Sequence, residues 1–360
     1  MKKHRSALKW LLLLVLSGWT LLCLSAAERP ATAFFGWTNL SGFKLERASA
    51  PGSWVLESPV IWPELEWNEL IVSWNGAPGA WQADLQARPL WRGQLPGGYY
   101  NLGHWDGLSV FNRYSITNQA DVVGLVDTDT LKLKTNAVGF QLRVVLSGST
   151  NPLQVLKFLS VSLAQGTALA RVSTNLPVGL ALTALEVPQK SQLSYPGGEQ
   201  LWCSPTCGSM LLNYWANRLK RDDLRIDVPE VARQVNDPNW PGTGNWPFNT
   251  AYAGSFPGMR GYVARLESLE AVREWVKLGV PVALSVSNNR LKGKNIGGSG
   301  HLIVCVGFEA NGDVIVNDPG TRGPIRKAFA RSLVEQAWAE SHHTVYLIHP
   351  MDWPVPKGEW

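Results

Sequence analysis

Apolar and polar residues alternate with a period of two through the first half of this chain, and then the pattern stops. Leu131-Lys132-Leu133-Lys134 alternates, as does Phe140-Gln141-Leu142-Arg143-Val144. Leu70-Ile71-Val72-Ser73-Trp74 and Val155-Leu156-Lys157-Phe158 read as further short strands. A period of two sends every second side chain to one face of a pleated strand. Turn clusters at Asn75-Gly76-Ala77-Pro78-Gly79 and Pro96-Gly97-Gly98 separate these runs. No helical period of about 12 residues interrupts them. Residues 28–175 are therefore expected to form an antiparallel β-sandwich. Its Trp74, Trp81, Trp91 and Trp105 are aromatic faces available either to a core or to a ligand. A linker at 176–188, with Pro177, Gly179 and Pro188, leads into mixed helix and strand texture over 189–350, and 351–360 is a tail. A chain of 360 residues has room for two such domains at roughly 100–200 residues each. The class is α+β.

The first 27 residues bear on the compartment. Lys2, Lys3, Arg5 and Lys9 precede an apolar run from Trp10 to Leu24, and Ser25-Ala26-Ala27 supplies small residues for cleavage. This is the pattern of a signal peptide at 1–27, cleaved after Ala27, and of a secreted or cell-envelope protein. Membrane attachment is expected only if the segment stays uncleaved. Lipidation at Cys23 is disfavoured by Leu22, where a small residue is wanted. Removing those four cations takes the formal charge from +5 to +1, so the basic balance gives no reason to invoke nucleic acid. Three cysteines then remain, Cys203, Cys207 and Cys305. An odd count leaves at least one thiol unpaired.

In the second half, Ser204-Pro205 opens a helix running to about Lys220, with Ser204 as cap. Asp227-Val228-Pro229-Glu230 reads as a capping box for a second helix. A third spans Ser268 to Leu278 and stops at Gly279, and a fourth lies around Ala328 to Ala339. Val280–Val286, His301–Phe308, Val314–Asn317 and Thr344–Ile348 read as strands. Asn311-Gly312 turns the middle two into a hairpin.

Cys203 precedes a helix start, where the positive end of the dipole and free N–H groups favour a thiolate. His301 begins a strand after the small, flexible Gly297-Gly298-Ser299-Gly300 loop. The hairpin brings Asp318 to the same end as His301, so a carboxylate orients the imidazole. Cys, then His, then Asp is the chain order of papain-type thiol hydrolases.

Residues from about 186 to 350 resemble the bacteriocin-leader-processing cysteine peptidases, the peptidase C39-like group of papain-fold proteins. The resemblance is carried by Ser191-Gln192, Trp202-Cys203-Ser204-Pro205-Thr206, Gly300-His301-Leu302-Ile303-Val304 and Val316-Asn317-Asp318-Pro319. Gly244-Asn245-Trp246-Pro247-Phe248-Asn249 resembles the exported branch. The resemblance implies a papain-like fold, with Cys203 as nucleophile, His301 as base and Asp318 as orienting acid. It also implies a glutamine that donates to the oxyanion. Gly197 stands at the usual spacing before the cysteine, so that glutamine is Gln192, across an insertion, or the nearer Gln200. Where the family has Cys-Gly-Pro this chain has Cys203-Ser204-Pro205, and no Walker-type loop follows. Asn245, Trp246 and Asn249 are candidate groove residues.

No metal or organic cofactor is expected. Cys203-x3-Cys207 and His301-x3-Cys305 suggest zinc, but four residues of strand span about 13 Å, too far for His301 and Cys305 to share one ion. Cys207 and Cys305 are either a disulfide or two small buried hydrophobes. The expected partner is a peptide or protein substrate. The alternatives are an inactive papain-like scaffold, with cell-wall or saccharide contact through the Trp-rich domain, and an acyl transferase using the same thiol.

Overall fold

The computed structural model describes residues 31–148, 152–166 and 181–357. The expected signal peptide lies outside the described residues, as does the first part of the linker, 176–180. Among the described residues no helix is long and apolar enough to cross a membrane.

The structure is mixed α and β, and its strands pair antiparallel. Among the described residues ten strands precede the linker: β1 (Thr32–Trp37), β2 (Lys44–Arg47), β3 (Ser53–Glu57), β4 (Trp67–Gly76), β5 (Gln82–Leu90), β6 (Tyr100–Asp106), β7 (Gly124–Asp127), β8 (Thr130–Ala137), β9 (Gly139–Ser147) and β10 (Leu156–Ala164). They make two five-stranded sheets, ordered β1-β10-β4-β8-β7 and β2-β3-β9-β5-β6. Side chains of β5 alternate between half-buried and buried, as the period of two requires. β4 is buried along nearly its whole length because it is covered on both faces.

One cover of β4 is the second sheet. Phe140 of β9 meets Phe35 and Trp67, with ring centroids 5.4 and 6.4 Å apart, and Trp74 meets Trp105 at 5.8 Å. Trp74, Trp81 and Trp105 are thus core, and Trp91 gives its indole N–H to the Asn136 carbonyl at 2.8 Å. The rings expected as a possible saccharide face are spent on packing.

The other cover is the second half of the chain. Its sheet runs β11-β16-β12-β13-β14-β15, with β11 (Met259–Arg265), β12 (Val282–Ser287), β13 (Gly300–Phe308), β14 (Val314–Asn317), β15 (Arg326–Phe329) and β16 (Thr344–Pro350). Helices Cys203–Leu219, Val228–Gln234, Trp246–Gly254, Leu269–Lys277 and Arg331–Ala339 surround it. Ser73 and Asn75 of β4 bond to the β11 backbone at Val263 and Gly261. Phe248 inserts between Trp74 and Trp105, 6.0 and 5.5 Å from their centroids, so one apolar core runs through both halves.

Three local expectations are corrected. The helix around Ala328 begins at Arg331, because residues 326–329 pair with β14 as β15. Ser204 lies inside its helix, which Trp202 precedes without a side-chain cap; the Ser204 hydroxyl bonds instead to the Tyr346 hydroxyl at 2.8 Å. Asp227 precedes its helix but gives its carboxylate to Lys190 and Tyr195, and Glu230 turns to Arg233, so no capping box forms.

Candidate active site

Cys203 is the first residue of its helix. No side chain caps that end, so the free N–H groups and the dipole act on the thiol. Burial raises the Cys203 pKa. The hydrogen bond and positive charge of His301 outweigh it, together with the backbone N–H groups of Leu302 and Ser204, and the thiol is held below its ordinary value.

His301 stands near the start of β13, in register with Val286 of β12. Its Nε2 lies 2.8 Å from Asp318 Oδ1. That leaves Nδ1 for the Cys203 thiol. Burial opposes a charged ring, but Asp318 and Cys203 together raise its pKa to about 9. The favoured state of the pair is thiolate beside imidazolium.

Asp318 follows β14. Besides His301, its Oδ1 accepts from the Gly320 N–H at 2.8 Å, and its Oδ2 pairs with Lys327 at 2.7 Å. Burial alone would raise this carboxyl; His301 and Lys327 hold it far below the usual carboxylate range. Gly320 also makes room for the ring, since a Cβ there would stand 2.9 Å from His301 Cε1. Lys327 and Gly320 escaped the sequence reading. Lys327 sits in a four-residue edge strand, and nothing in its neighbours marks it as a partner of Asp318.

Gln192 sits beside this loop. Its N–H donates to the Pro319 carbonyl at 3.0 Å, and Ser191 bonds to Thr321. Its side-chain Nε2 is given to the Glu199 carbonyl at 3.0 Å and less closely to Gly198, while Oε1 is buried without a partner. Gln200 instead lines the cavity at Cys203.

That cavity has a volume of about 480 Å³. Cys203, Gly300 and Leu302 form one side, and Leu201, Trp240, Gly244 and Trp246 continue it. Asp127, Thr128, Asp129 and Thr130, from the β7–β8 hairpin of the other half, also line it, as do Glu69 and Lys132. Asn245 and Asn249 are corrected as groove residues, being fully or almost fully buried. Asn245 caps its helix through Phe248 N–H and donates to Asp237 at 2.9 Å; Asn249 donates to the carbonyls of Thr243 and Asn245. Of the three candidates, Trp246 faces the cavity.

Cys207 and Cys305 are free and buried, so the disulfide does not form. Burial pushes the Cys207 thiol well up and Cys305 to about 12, which leaves both inert as nucleophiles. Among the described residues no group of three or more His, Cys, Asp or Glu side chains is arranged to hold a metal ion.

No curated protein matches this chain. A solved structure described as a candidate C39-like peptidase from Bacillus anthracis is similar at 17% identity over 46% of this chain and 96% of that one, with a TM-score of 0.36. A score that low lends no support to either fold or function. Family models are more informative: residues 47–161 match the Peptidase C39 N-terminal domain, and residues 184–346 match the Peptidase C39-like family. The chain therefore carries a domain of the Peptidase C39-like family, preceded by the N-terminal domain that accompanies peptidases of that kind.

Proposed function

We propose that this chain is an exported cysteine peptidase that cleaves a peptide or amide bond through Cys203, His301 and Asp318. The observation that carries the reading is the line from a helix-start thiol through His301 to Asp318, with Nε2 and Oδ1 2.8 Å apart. The Cys203 thiolate attacks the carbonyl carbon. His301 gives its proton to the leaving nitrogen as the thioester forms, then takes one from the water that hydrolyses it. Asp318, anchored by Lys327, keeps the ring in the tautomer this requires. The oxyanion is met by the Cys203 N–H and a glutamine amide. Gln192 supplies it by releasing the Glu199 carbonyl, or Gln200 supplies it from the cavity wall. Separate alanine variants at the two positions distinguish them.

The composition of residues 1–27 supports secretion or a cell-envelope location. In the proposed organisation, residues 28–175 form a β-sandwich, 176–188 the linker and 189–350 the papain-like domain. The substrate is a peptide or protein.

The test is alkylation by iodoacetamide at pH 6, resolved by peptide mapping. Cys203 should react much faster than Cys207 and Cys305, and His301→Ala should abolish the difference. A Cys203 no faster than an ordinary thiol refutes the reading.

A further inference from the structure

The domain ahead of the peptidase domain lines the thiol's cavity with the tip of the β7–β8 hairpin, with Lys132 further along β8 and with Glu69 of β4. Four features of that tip bear on its role. First, Thr128 is left-handed, with φ 58°. A β-branched residue seldom takes that conformation, and glycine or asparagine would hold the turn with less strain. Second, the tip is clamped to the other half of the chain. The Asp129 carboxylate, almost fully buried, accepts from the Trp246 N–H at 2.7 Å and from the Thr130 hydroxyl at 3.0 Å. Trp246 starts the helix whose Phe248 fills the core shared by the two halves.

Third, the strand beside the hairpin is tied down by charge. Glu69 of β4, which pairs with β8, bonds to Arg265 of β11 at 2.6 Å and to His342 at 2.9 Å. Fourth, the tip does not end in packed core. Thr128 is half-buried and borders about 480 Å³ of open space that Cys203, Gly300 and Leu302 also line. A turn that served packing alone would be buried against its partner. This one is strained, fixed and presented to the cavity.

We infer that the hairpin tip, residues 127–130, is the second wall of the substrate cleft, and that Thr128 is a specificity-determining residue. This rests on the peptidase reading of Cys203. It specifies the substrate further: an extended polypeptide segment laid between the two halves of the chain, gripped on one side by the hairpin and on the other by the residues flanking His301. A small amide needs no such second wall.

The experiment compares two probes of Cys203 in the full chain. Iodoacetamide is small enough to ignore the wall; a set of tripeptidyl chloromethyl ketones, varied one position at a time, must lie along it. The variants are Thr128→Trp, which narrows the cleft, and Thr128→Gly, which relieves the turn and removes the side chain. The expected result keeps iodoacetamide rates within about two-fold of the parent while the spread between best and worst peptidyl reagents changes by about ten-fold. If Thr128→Trp does not fold, Thr128→Gly decides alone. Unchanged peptidyl selectivity in folded variants overturns the proposal, and so does an equal loss with both reagents, which would mean the hairpin acts through the thiol itself. A parent Cys203 inert to iodoacetamide is a different failure, that of the peptidase reading.

Discussion

Replacing Asp318 by Asn removes the carboxylate that stabilises the His301 imidazolium and keeps the side chain's shape. The rise in the His301 pKa from 6.5 to about 9 corresponds to about 3 kcal/mol in favour of the charged ring. Burial works against that charge, so Asp318 and Cys203 must supply more than the net figure. If Asp318 supplies about half of the net, the substitution costs the thiolate–imidazolium pair on the order of 2 kcal/mol, roughly a ten- to thirty-fold fall in its formation constant. Lys327, now without its 2.7 Å partner, repels the imidazolium and pushes the same way.

The assay is the rate of iodoacetamide alkylation at Cys203 as a function of pH. In the parent the thiol should react well below its ordinary value of 9.0. In Asp318→Asn the rate at pH 6 should fall about ten- to thirty-fold, and the two profiles should converge near pH 10, where any thiol ionises. Equal rates at pH 6 in a folded variant would refute the account of how the thiol is activated. The same groups shape stability. His301, held above its ordinary 6.5, stabilises the fold fully below that value and loses its contribution as pH rises through about 9. Asp318, held below its ordinary 3.8, contributes above that value and loses it as pH falls. Together they favour a stability maximum between the two ranges.

Gly320→Ala places a methyl 2.9 Å from His301 Cε1; alkylation at pH 6 should slow several-fold while the melting temperature changes little, because the strain falls on the imidazole. Asn245→Ala removes a helix cap and a partner of the buried Asp237. It should cost about 1–3 kcal/mol in chemical denaturation and leave Cys203 reactivity per folded molecule unchanged. Glu69→Gln leaves Arg265 buried beside a neutral side chain and should destabilise the fold by about 3 kcal/mol. The Glu69 carboxyl, which burial would raise, is held down to about 2 by His342 and Arg265. Its contribution is complete above 4.5 and lost as pH falls toward 2, so the parent's melting temperature should drop across that window and the variant's should drop less.

The legible and illegible parts of this chain divide by the range of the interactions involved. His301 and Asp318 were readable because a short turn folds one strand back on the next, and local geometry then decides which ends meet. Cys203 was readable because a helix start is marked by its own few residues. Among the strands of residues 31–166, β8 and β9 were readable from their period of two and β4 and β10 as short apolar runs, while the other six were not singled out. Ser204 misled because a hydroxyl near a helix start favours capping, and the sequence does not announce Tyr346, 142 positions away, as its partner. Asn245 and Asn249 misled in the opposite sense. Polar side chains near an expected groove read as exposed, but here they satisfy buried backbone and Asp237. The end of β15 was read into the next helix because Ala328 and Phe329 continue its apolar pattern, and four edge residues carry too little signal to resist it.

The contact between the two halves has a division of labour that bears on the cleft. Trp74, Trp105 and Phe248 interlock three large rings, an apolar contact that favours association but tolerates sliding and tilting. The polar contacts tolerate neither. Asn75 bonds both ways to Gly261, and Gly254 leaves space for it, since a Cβ there would lie 2.0 Å from its amide nitrogen. Glu69 and Arg265 form a buried ion pair, with His342 hydrogen-bonded to the same carboxylate, and such pairs add little net stability while penalising any other arrangement heavily. This pattern suits an interface whose geometry matters more than its strength. Because β4 carries Glu69 and Asn75 and also pairs with β8, fixing β4 fixes the hairpin tip relative to Cys203. A shift of β4 by one residue would exchange Trp74 for Asn75 in the core, and so a cleft of altered width could form only by losing both the rings and the ion pair.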